Sequence, residues 1–195
     1  MYENFLTTYP ADENSEAEPI SNSPLIGLDG FRELAELGAG KGFGEGIIRI
    51  HSQEESDRAV HFIADEFPEY RGAVVPVAKD WLGRQYAVPI DSSSPRTDMV
   101  LLMEPGSGEA FEIDCGLIEL FDQKMVSDPL TFLAADLFSE WQLEHPEPIQ
   151  AGKCVGFKVP LFLGGGGTVK NLELTDESVY WNLFGQLRKQ VKGRS

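Results

Sequence analysis

A series of short strand-like runs between residues 72 and 114 constrains the fold more than any other feature of the sequence. The runs are "GAVVPVA", "RQYAVPI", "DMVLLME" and "EAFEID", and they are separated by the turn-forming segments "KDWLG", "DSSSPRT" and "PGSG". Strand-length runs at this spacing are typical of an antiparallel meander. We therefore predict a mainly antiparallel sheet over this part of the chain.

Helical patterns flank the predicted sheet on both sides. Ser52 and Glu55 have the spacing of a capping box, which predicts a helix ending near Pro68. Asp128 as N-cap and Pro129 at the first helical position predict a single helix over "DPLTFLAADLFSEWQLEH". Thr175 is predicted to cap the last helix, "DESVYWNLFGQLRKQV", whose early acids and late bases match the helix dipole. The predicted fold class is α+β, a mainly antiparallel sheet flanked by several helices.

The charge balance restricts the partners that this chain can bind. The sequence contains 32 acidic and 16 basic residues, for a net charge of -16. Nucleic acids and anionic membranes would be repelled, because their binding depends on Lys and Arg, whereas a basic protein surface would be attracted. Solubility alone is the alternative interpretation. Two cysteines, an N-terminus without signal-peptide features and no membrane-length apolar run predict a cytoplasmic protein.

Four consecutive glycines, Gly164, Gly165, Gly166 and Gly167, raise the question of phosphate binding. A P-loop requires Gly-Lys-[Ser/Thr] before a helix, but here Thr168 follows Gly167 and a strand pattern comes next. The spacing G-x-G-x-x-G also fails, because Val169 stands where the third glycine would be, and the glycines at 40–46 fail the same check. A tight connection between strands is favoured. An enzyme acting on a phosphorylated ligand through this loop is disfavoured.

The other chemistry-bearing residues form no catalytic or metal-binding pattern. His51, His61 and His145 lack ligand spacing with each other or with cysteine. Cys154 opens an apolar strand and is interpreted as a buried structural thiol. We predict no catalytic residue, no metal and no cofactor.

Surface acids and one tryptophan are the candidate partner-binding groups. Eleven acids and one base occur between Glu104 and Gln150, which fits either an ordinary solvated surface or one that mimics a polyanion. Trp81 lies in a predicted turn, where it is either an exposed interface anchor or folded back onto the sheet. The predicted contact residues are Asp80, Trp81, Glu104, the acids Glu140, Glu144 and Glu147 along one helix, and the four glycines 164–167.

Several segments together resemble a known family. "FGEGIIRIH", "KDWLGRQYAV", "MVLLMEPGSGEAFEI" and "CVGFKVPLFLGGGGTVKNLELTDESVYWNLFGQL" resemble bacterial proteins that combine a GAD-like domain with the C-terminal domain of type VI secretion DNase-immunity proteins. The resemblance extends from about Phe31 to Leu187. It implies an α+β fold, no catalysis and a cytosolic role in which the protein binds a cognate nuclease toxin and blocks it. Family members commonly carry polar or acidic residues in the glycine tract, so the pure tract here is expected to be more mobile.

These observations give one expected organisation and one expected function. Residues 1–24 are an acidic N-terminal arm, 25–95 a GAD-like domain and 96–195 a type VI immunity C-terminal domain, the last two packed as one unit. The expected function is an immunity protein that neutralises a DNase toxin by occluding its active site or DNA-binding groove. It would be a monomer when free and a heterodimer with the toxin, without contact to nucleic acid or membrane. The alternative is a non-catalytic GAD-like binding module with a non-toxin client.

Overall fold

The computed structural model describes residues 1–12, 17–91 and 94–193. Its α-helices are α1 (Glu3–Thr8), α2 (Phe31–Gly38), α3 (Gln53–Glu66), α4 (Leu117–Glu119), α5 (Met125–Ser127), α6 (Pro129–Leu133), α7 (Ala135–Gln142) and α8 (Glu177–Lys192), with a π-helical stretch, Leu120–Lys124, joining α4 to α5. Its strands are β1 (Gly42–Phe43), β2 (Ile48–Ile50), β3 (Val74–Asp80), β4 (Gln85–Asp91), β5 (Ser94–Pro95), β6 (Val100–Glu104), β7 (Glu109–Ile113), β8 (Lys153–Phe157) and β9 (Leu172–Asp176).

An antiparallel sheet forms the centre of the molecule. Within the described residues it has seven strands in the order β1-β2-β3-β4-β6-β7, with β5 beside β4, while β8 and β9 form a separate two-stranded ribbon. This confirms the predicted fold class. Because β4 pairs directly with β6, the sheet continues across the predicted domain boundary near residue 95. The serines Ser92 and Ser93 of that boundary lie outside the described residues, and the division into domains stays a prediction.

Helix α3 begins as its sequence predicts. The Ser52 hydroxyl accepts a hydrogen bond from Glu55 N, and the Glu55 carboxylate accepts one from Ser52 N at 2.9 Å, so the capping box is confirmed. Ile63 and Phe67 are buried on its inner face. The helix packs against β3 and α8 and so joins the sheet to the C-terminal part of the chain.

The single helix predicted from Asp128 onward is wrong: the chain forms two helices that meet at Ala134. Asp128 caps the first of them as predicted, accepting from Thr131 N at 3.2 Å. Ala134 then adopts a left-handed conformation, φ +49°. Side chains of the sheet bind the last carbonyls of α6: Arg84 and Tyr86 donate to Phe132 O, and Trp81 donates to Leu133 O. With these external donors, the end of α6 needs no continuing helix.

One further boundary differs from the prediction, and one strand is shorter than its apolar run. Asp176, not Thr175, occupies the N-cap position of α8, because β9 extends to Asp176 in register with Lys153. The apolar strand predicted at Cys154 is confirmed, and it ends at Phe157 although the apolar run continues to Leu163. The chain then turns toward the sheet, and Leu161 N donates to Gly106 O at 3.0 Å.

The predicted N-terminal arm contains a helix that is part of the core. Tyr2, Phe5 and Tyr9 are buried, and the Phe5 ring lies 5.4 Å from that of Phe121. The Asp122 carboxylate accepts a hydrogen bond from Phe5 N at 3.0 Å, which fixes the start of α1. Glu13 and Glu16, two acids of this arm, lie outside the described residues. Among the helices that the structure describes, none combines the length and apolarity needed to span a bilayer.

Candidate partner-binding surface

The segment "KDWLGRQY", residues 79–86, is an internal hub. Asp80 and Trp81 are only 2% and 1% exposed. The Asp80 carboxylate accepts hydrogen bonds from Arg84 Nε at 2.5 Å and from the backbone N–H groups of Leu82 and Arg84 at 3.0 Å. The Trp81 indole N–H donates to Leu133 O at 2.8 Å. Asp80 and Trp81 therefore offer no surface to a partner, which corrects their predicted role and leaves the alternative, Trp81 folded back onto the sheet.

The hub also binds the C-terminal helix to the sheet. The Lys79 ammonium lies 2.6 Å from a carboxylate oxygen of Glu177, at the start of α8, and donates to Lys153 O at 3.1 Å. The Gln85 amide donates to the other Glu177 oxygen at 2.7 Å. Trp181, one turn further along α8, donates to Gly83 O at 2.9 Å. Buried charges are tolerated when they are paired and hydrogen-bonded in this way, so the hub has a structural role.

The segment 158–171 between β8 and β9, here named the glycine connection, is held closed by one side chain. The Asn171 amide donates to Val159 O and Gly166 O, both at 2.9 Å, and its oxygen accepts from Val159 N at 2.9 Å. Lys158 N also donates to Asn171 O at 2.7 Å. The segment is a folded connection between two antiparallel strands, as predicted for the glycine tract.

The four glycines have different structural requirements. Gly164 has φ +87°, a conformation that favours glycine. A Cβ at Gly165 would lie 2.0 Å from Val159 O, so no side chain fits there. Gly167 has open space around its Cβ position and a Cβ at Gly166 would meet only Thr168 at 3.8 Å. The fold of the connection therefore requires glycine at 164 and 165, whereas a side chain could be accommodated at 166 and 167.

A groove of about 520 Å³ lies beside this connection. One wall is the end of α7 and the turn after it, and the other is the glycine connection with β9. The lining residues are Glu140, Trp141, Glu144, His145, Lys158, Val169, Lys170, Leu172, Glu173 and Leu174. The His145 ring stacks on buried Trp141 with centroids 3.7 Å apart, which fixes the turn that carries Glu144.

Charged and apolar side chains are exposed together at the groove. Glu140, Glu144 and Glu173 are exposed, and none of them forms an ion pair with another residue in the described part of the chain. Leu174, at 56% exposure, lies on the wall opposite the acids, and Leu143, at 84%, directly precedes Glu144 in sequence. Lys158 and Lys170 add two positive charges to that opposite wall. An acidic wall with apolar groups beside it suits binding of a protein surface.

The structure brings together only some of the predicted contact residues. Glu140 and Glu144 line the groove, next to the connection that carries Gly164–Gly167. The prediction that the three glutamates share one helix is wrong, because α7 ends at Gln142 and Glu144 and Glu147 follow it as exposed residues. Glu104 is elsewhere, partly buried with a carboxylate oxygen 4.0 Å from Arg84.

The residues of the opposite wall were missed by sequence reasoning. Lys158, Lys170 and Glu173 flank the glycine tract in sequence, but only the β8–β9 pairing and the packing of α7 place them across from Glu140. Asn171 also has a role that the sequence pattern did not predict, although its position at the end of the glycine-containing loop is a signal for it.

Nucleophile chemistry is not favoured at either cysteine. Both are buried free thiols. Burial raises the pKa of Cys115 to about 11, and burial also raises the pKa of Cys154. In the part of the chain that the structure describes, no three His, Cys, Asp or Glu side chains cluster as metal ligands.

The C-terminal part of the chain matches a known family. Residues 120–188 match the family model described as T6SS immunity protein Tdi1, C-terminal. Both walls of the groove, the glycine connection and most of α8 lie within this segment. The match points to an immunity protein of type VI secretion. It does not extend to the predicted GAD-like part, residues 25–95, which stays a prediction.

One solved structure supports the fold across almost the whole chain. The crystal structure of Atu4351 from Agrobacterium tumefaciens is similar with a TM-score of 0.56 and 16% sequence identity, covering 95% of this chain and 89% of that one. At this identity the similarity shows the fold alone. A search of curated proteins found no match.

Proposed function

We propose that this protein is a non-enzymatic immunity protein that binds a DNase toxin delivered by type VI secretion and blocks the toxin's active site or DNA-binding groove. The observation that carries the proposal is the match of residues 120–188 to the Tdi1 C-terminal family. The partner is a cognate nuclease with a basic surface, and the two proteins form a one-to-one complex.

The groove is the proposed contact surface. Glu140 and Glu144 in the groove, and exposed Glu147 after them in sequence, present carboxylates without ion pairs to the described residues. They are available to the Lys and Arg side chains that a DNA-cleaving surface needs. Opposite charges across an interface raise the association rate and fix its register. Leu143 and Leu174 supply the apolar contacts that a charged rim alone does not provide.

The opposite wall adds a requirement for selectivity. Lys158 and Lys170 would repel a uniformly basic partner, so the cognate toxin is expected to carry at least one acidic residue facing the glycine connection. Unlike charge attraction alone, this mixed pattern distinguishes one toxin from another. The net charge of -16 supports the same picture, because a protein of this charge competes with DNA for a basic surface without binding DNA itself.

The test is a plasmid-cleavage assay with the nuclease encoded beside this gene. The protein is added in increasing ratio at about 0.15 M salt, where charge effects beyond about 8 Å are screened. We expect cleavage to fall sharply near a one-to-one ratio. Undiminished cleavage in excess protein, with that nuclease and with any other neighbouring toxin, would contradict the proposal and favour a non-toxin client.

A further inference from the structure

Two adjoining cavities lie between the segment 17–26, α2 and the start of α3, on elements that take no part in the groove. The outer cavity has a volume of about 760 Å³. The inner cavity has room for about one water-sized group, about 10 Å³, and reaches His51 and Gln53. Ile20, Phe31 and Ala35 line both cavities, so a molecule in the outer cavity can extend a small group into the inner one.

The hydrogen-bond network of the hub fixes the tautomer of His51. Glu177 accepts a hydrogen bond from the Gln85 NH₂ group at 2.7 Å, which leaves the Gln85 oxygen facing His51 Nε2, also at 2.7 Å. Because that oxygen can only accept, Nε2 carries the proton. Burial lowers the pKa of His51, which keeps the ring neutral. His51 Nδ1 is therefore a hydrogen-bond acceptor.

Gln53 supplies a second buried acceptor. Its NH₂ group donates to Asp57 at 2.9 Å, so its oxygen Oε1 points the other way. Within the described residues, neither His51 Nδ1 nor Gln53 Oε1 has a hydrogen-bond partner, and both atoms are buried. His51 is only 3% exposed. Both residues line the inner cavity, and leaving two buried acceptors without a donor is costly.

We propose that these two cavities form a binding site for a small, largely apolar molecule with a neutral hydroxyl or N–H group. The donor group enters the inner cavity and hydrogen-bonds to His51 Nδ1 or Gln53 Oε1. The apolar body contacts Ile20, Phe31 and Ala35 in the outer cavity. A charged head group is disfavoured, because the inner cavity offers two neutral acceptors and burying a charge there is costly.

A matched pair of probes tests the proposal on the whole protein. Benzyl alcohol and ethylbenzene differ only in a hydroxyl in place of a methyl group, so only benzyl alcohol can donate to the acceptors. Binding is followed by chemical shifts of the backbone amides and of the histidine ring nitrogens. We expect saturable binding of benzyl alcohol at amides around residues 20–35 and 50–53, about tenfold tighter than ethylbenzene. Nδ1 of His51 should shift, while those of exposed His61 and His145 should not.

A variant removes one acceptor without touching the hub. Gln53→Leu should weaken benzyl alcohol binding about tenfold and leave ethylbenzene binding unchanged or tighter. Glu54→Gln, at the next, exposed position of α3, is the control and should change neither. Equal affinity of the two probes or no saturable binding would each overturn the proposal and indicate that solvent alone satisfies the two acceptors. So would an unchanged benzyl alcohol affinity in Gln53→Leu with no shift at His51 Nδ1, because neither acceptor would then bind the probe. Ala35→Leu places a larger side chain at a residue that lines both cavities and should weaken binding of both probes; unchanged affinities would also contradict the site.

Discussion

The hub and the groove both concentrate charged residues, but they use charge in opposite ways. In the hub, buried Lys79 pairs with Glu177 of α8 at 2.6 Å, and buried Asp80 pairs with Arg84 at 2.5 Å. In the groove, Glu140, Glu144 and Glu173 are exposed and form no ion pair with the described residues. In the first arrangement the Lys79–Glu177 pair holds the sheet to α8, and the Asp80–Arg84 pair is satisfied within the segment 79–86. In the second arrangement the carboxylates stay open to solvent.

Under the proposed function, this difference separates residues for stability from residues for recognition. Removing one member of a buried pair strands its partner in the interior. Removing an exposed acid changes stability little but alters the electrostatic attraction of a partner. Substitutions in the two regions should therefore have opposite signatures, and the following variants test that separation in order of expected effect.

The largest effect is expected for Glu177→Ala. It leaves the buried Lys79 ammonium without its counter-charge and Gln85 without an acceptor, so the free energy of unfolding should fall by about 3–5 kcal/mol. Urea denaturation followed by fluorescence measures the loss. Glu173→Ala is the matched control, four residues earlier and exposed on the groove, and should stay within about 0.5 kcal/mol of wild type. Equal losses in the two variants would remove the distinction between hub and groove.

Charge reversal at the groove should act on binding instead. Glu140→Lys with Glu144→Lys should weaken toxin affinity about tenfold or more, mainly by slowing association, with an unchanged unfolding midpoint. Surface plasmon resonance at two salt concentrations gives both rates. Glu109→Lys with Glu112→Lys changes the net charge equally but on β7. If that control slowed association as much, net charge alone and not the groove would explain the attraction.

Two glycines of the tract 164–167 test whether the shape of the glycine connection depends on a missing side chain. Gly165→Ala places a methyl group against Val159 O and should cost about 1–3 kcal/mol of stability. Gly167→Ala, with open space around it, should cost almost nothing. Thermal unfolding of the two variants measures the difference, and equal midpoints would show that the connection relaxes around residue 165.

A smaller loss of stability than for Gly165→Ala is expected for Asn171→Ala. It removes the side-chain hydrogen bonds to Val159 and Gly166, which are exposed and partly replaced by water, so a loss of about 1 kcal/mol is expected. Toxin affinity should fall with it, because the wall of the groove loses its fixed shape. Asn182→Ala, on the exposed face of α8, is the control. Indistinguishable affinities for the two variants would show that the connection does not form part of the interface.

Local patterns predicted most of the secondary structure, because their determinants are close in sequence. The capping box of Ser52 and Glu55 and the N-cap at Asp128 each depend on residues three positions apart. The strands of the central sheet are likewise delimited by turn residues that follow directly. Such features need no knowledge of distant contacts.

Structural features that depend on contacts between residues distant in sequence could not be predicted from local sequence patterns. Trp81 is buried because Leu133 and Phe138, more than fifty residues away, form its surroundings. The break at Ala134 arises from Trp81, Arg84 and Tyr86 binding the carbonyls that precede it.

The candidate site was predictable in the same partial way. The exposed acids at 140 and 144 stand out in the sequence, whereas Lys158 and Lys170 oppose them only after β8, β9 and α7 have packed. The sequence therefore predicted the acidic residues of one wall, but it did not predict that a groove forms between them and the glycine connection.

The most direct test of the central claim is the hydrogen-exchange footprint of the complex with the toxin. Amide exchange is measured on the free protein and on the one-to-one complex. We predict increased protection at residues 140–147 and 158–174 and little change at 79–86, which is already buried. Protection confined to other surfaces, with 140–147 and 158–174 exchanging as in the free protein, would contradict the assignment of the groove as the binding surface.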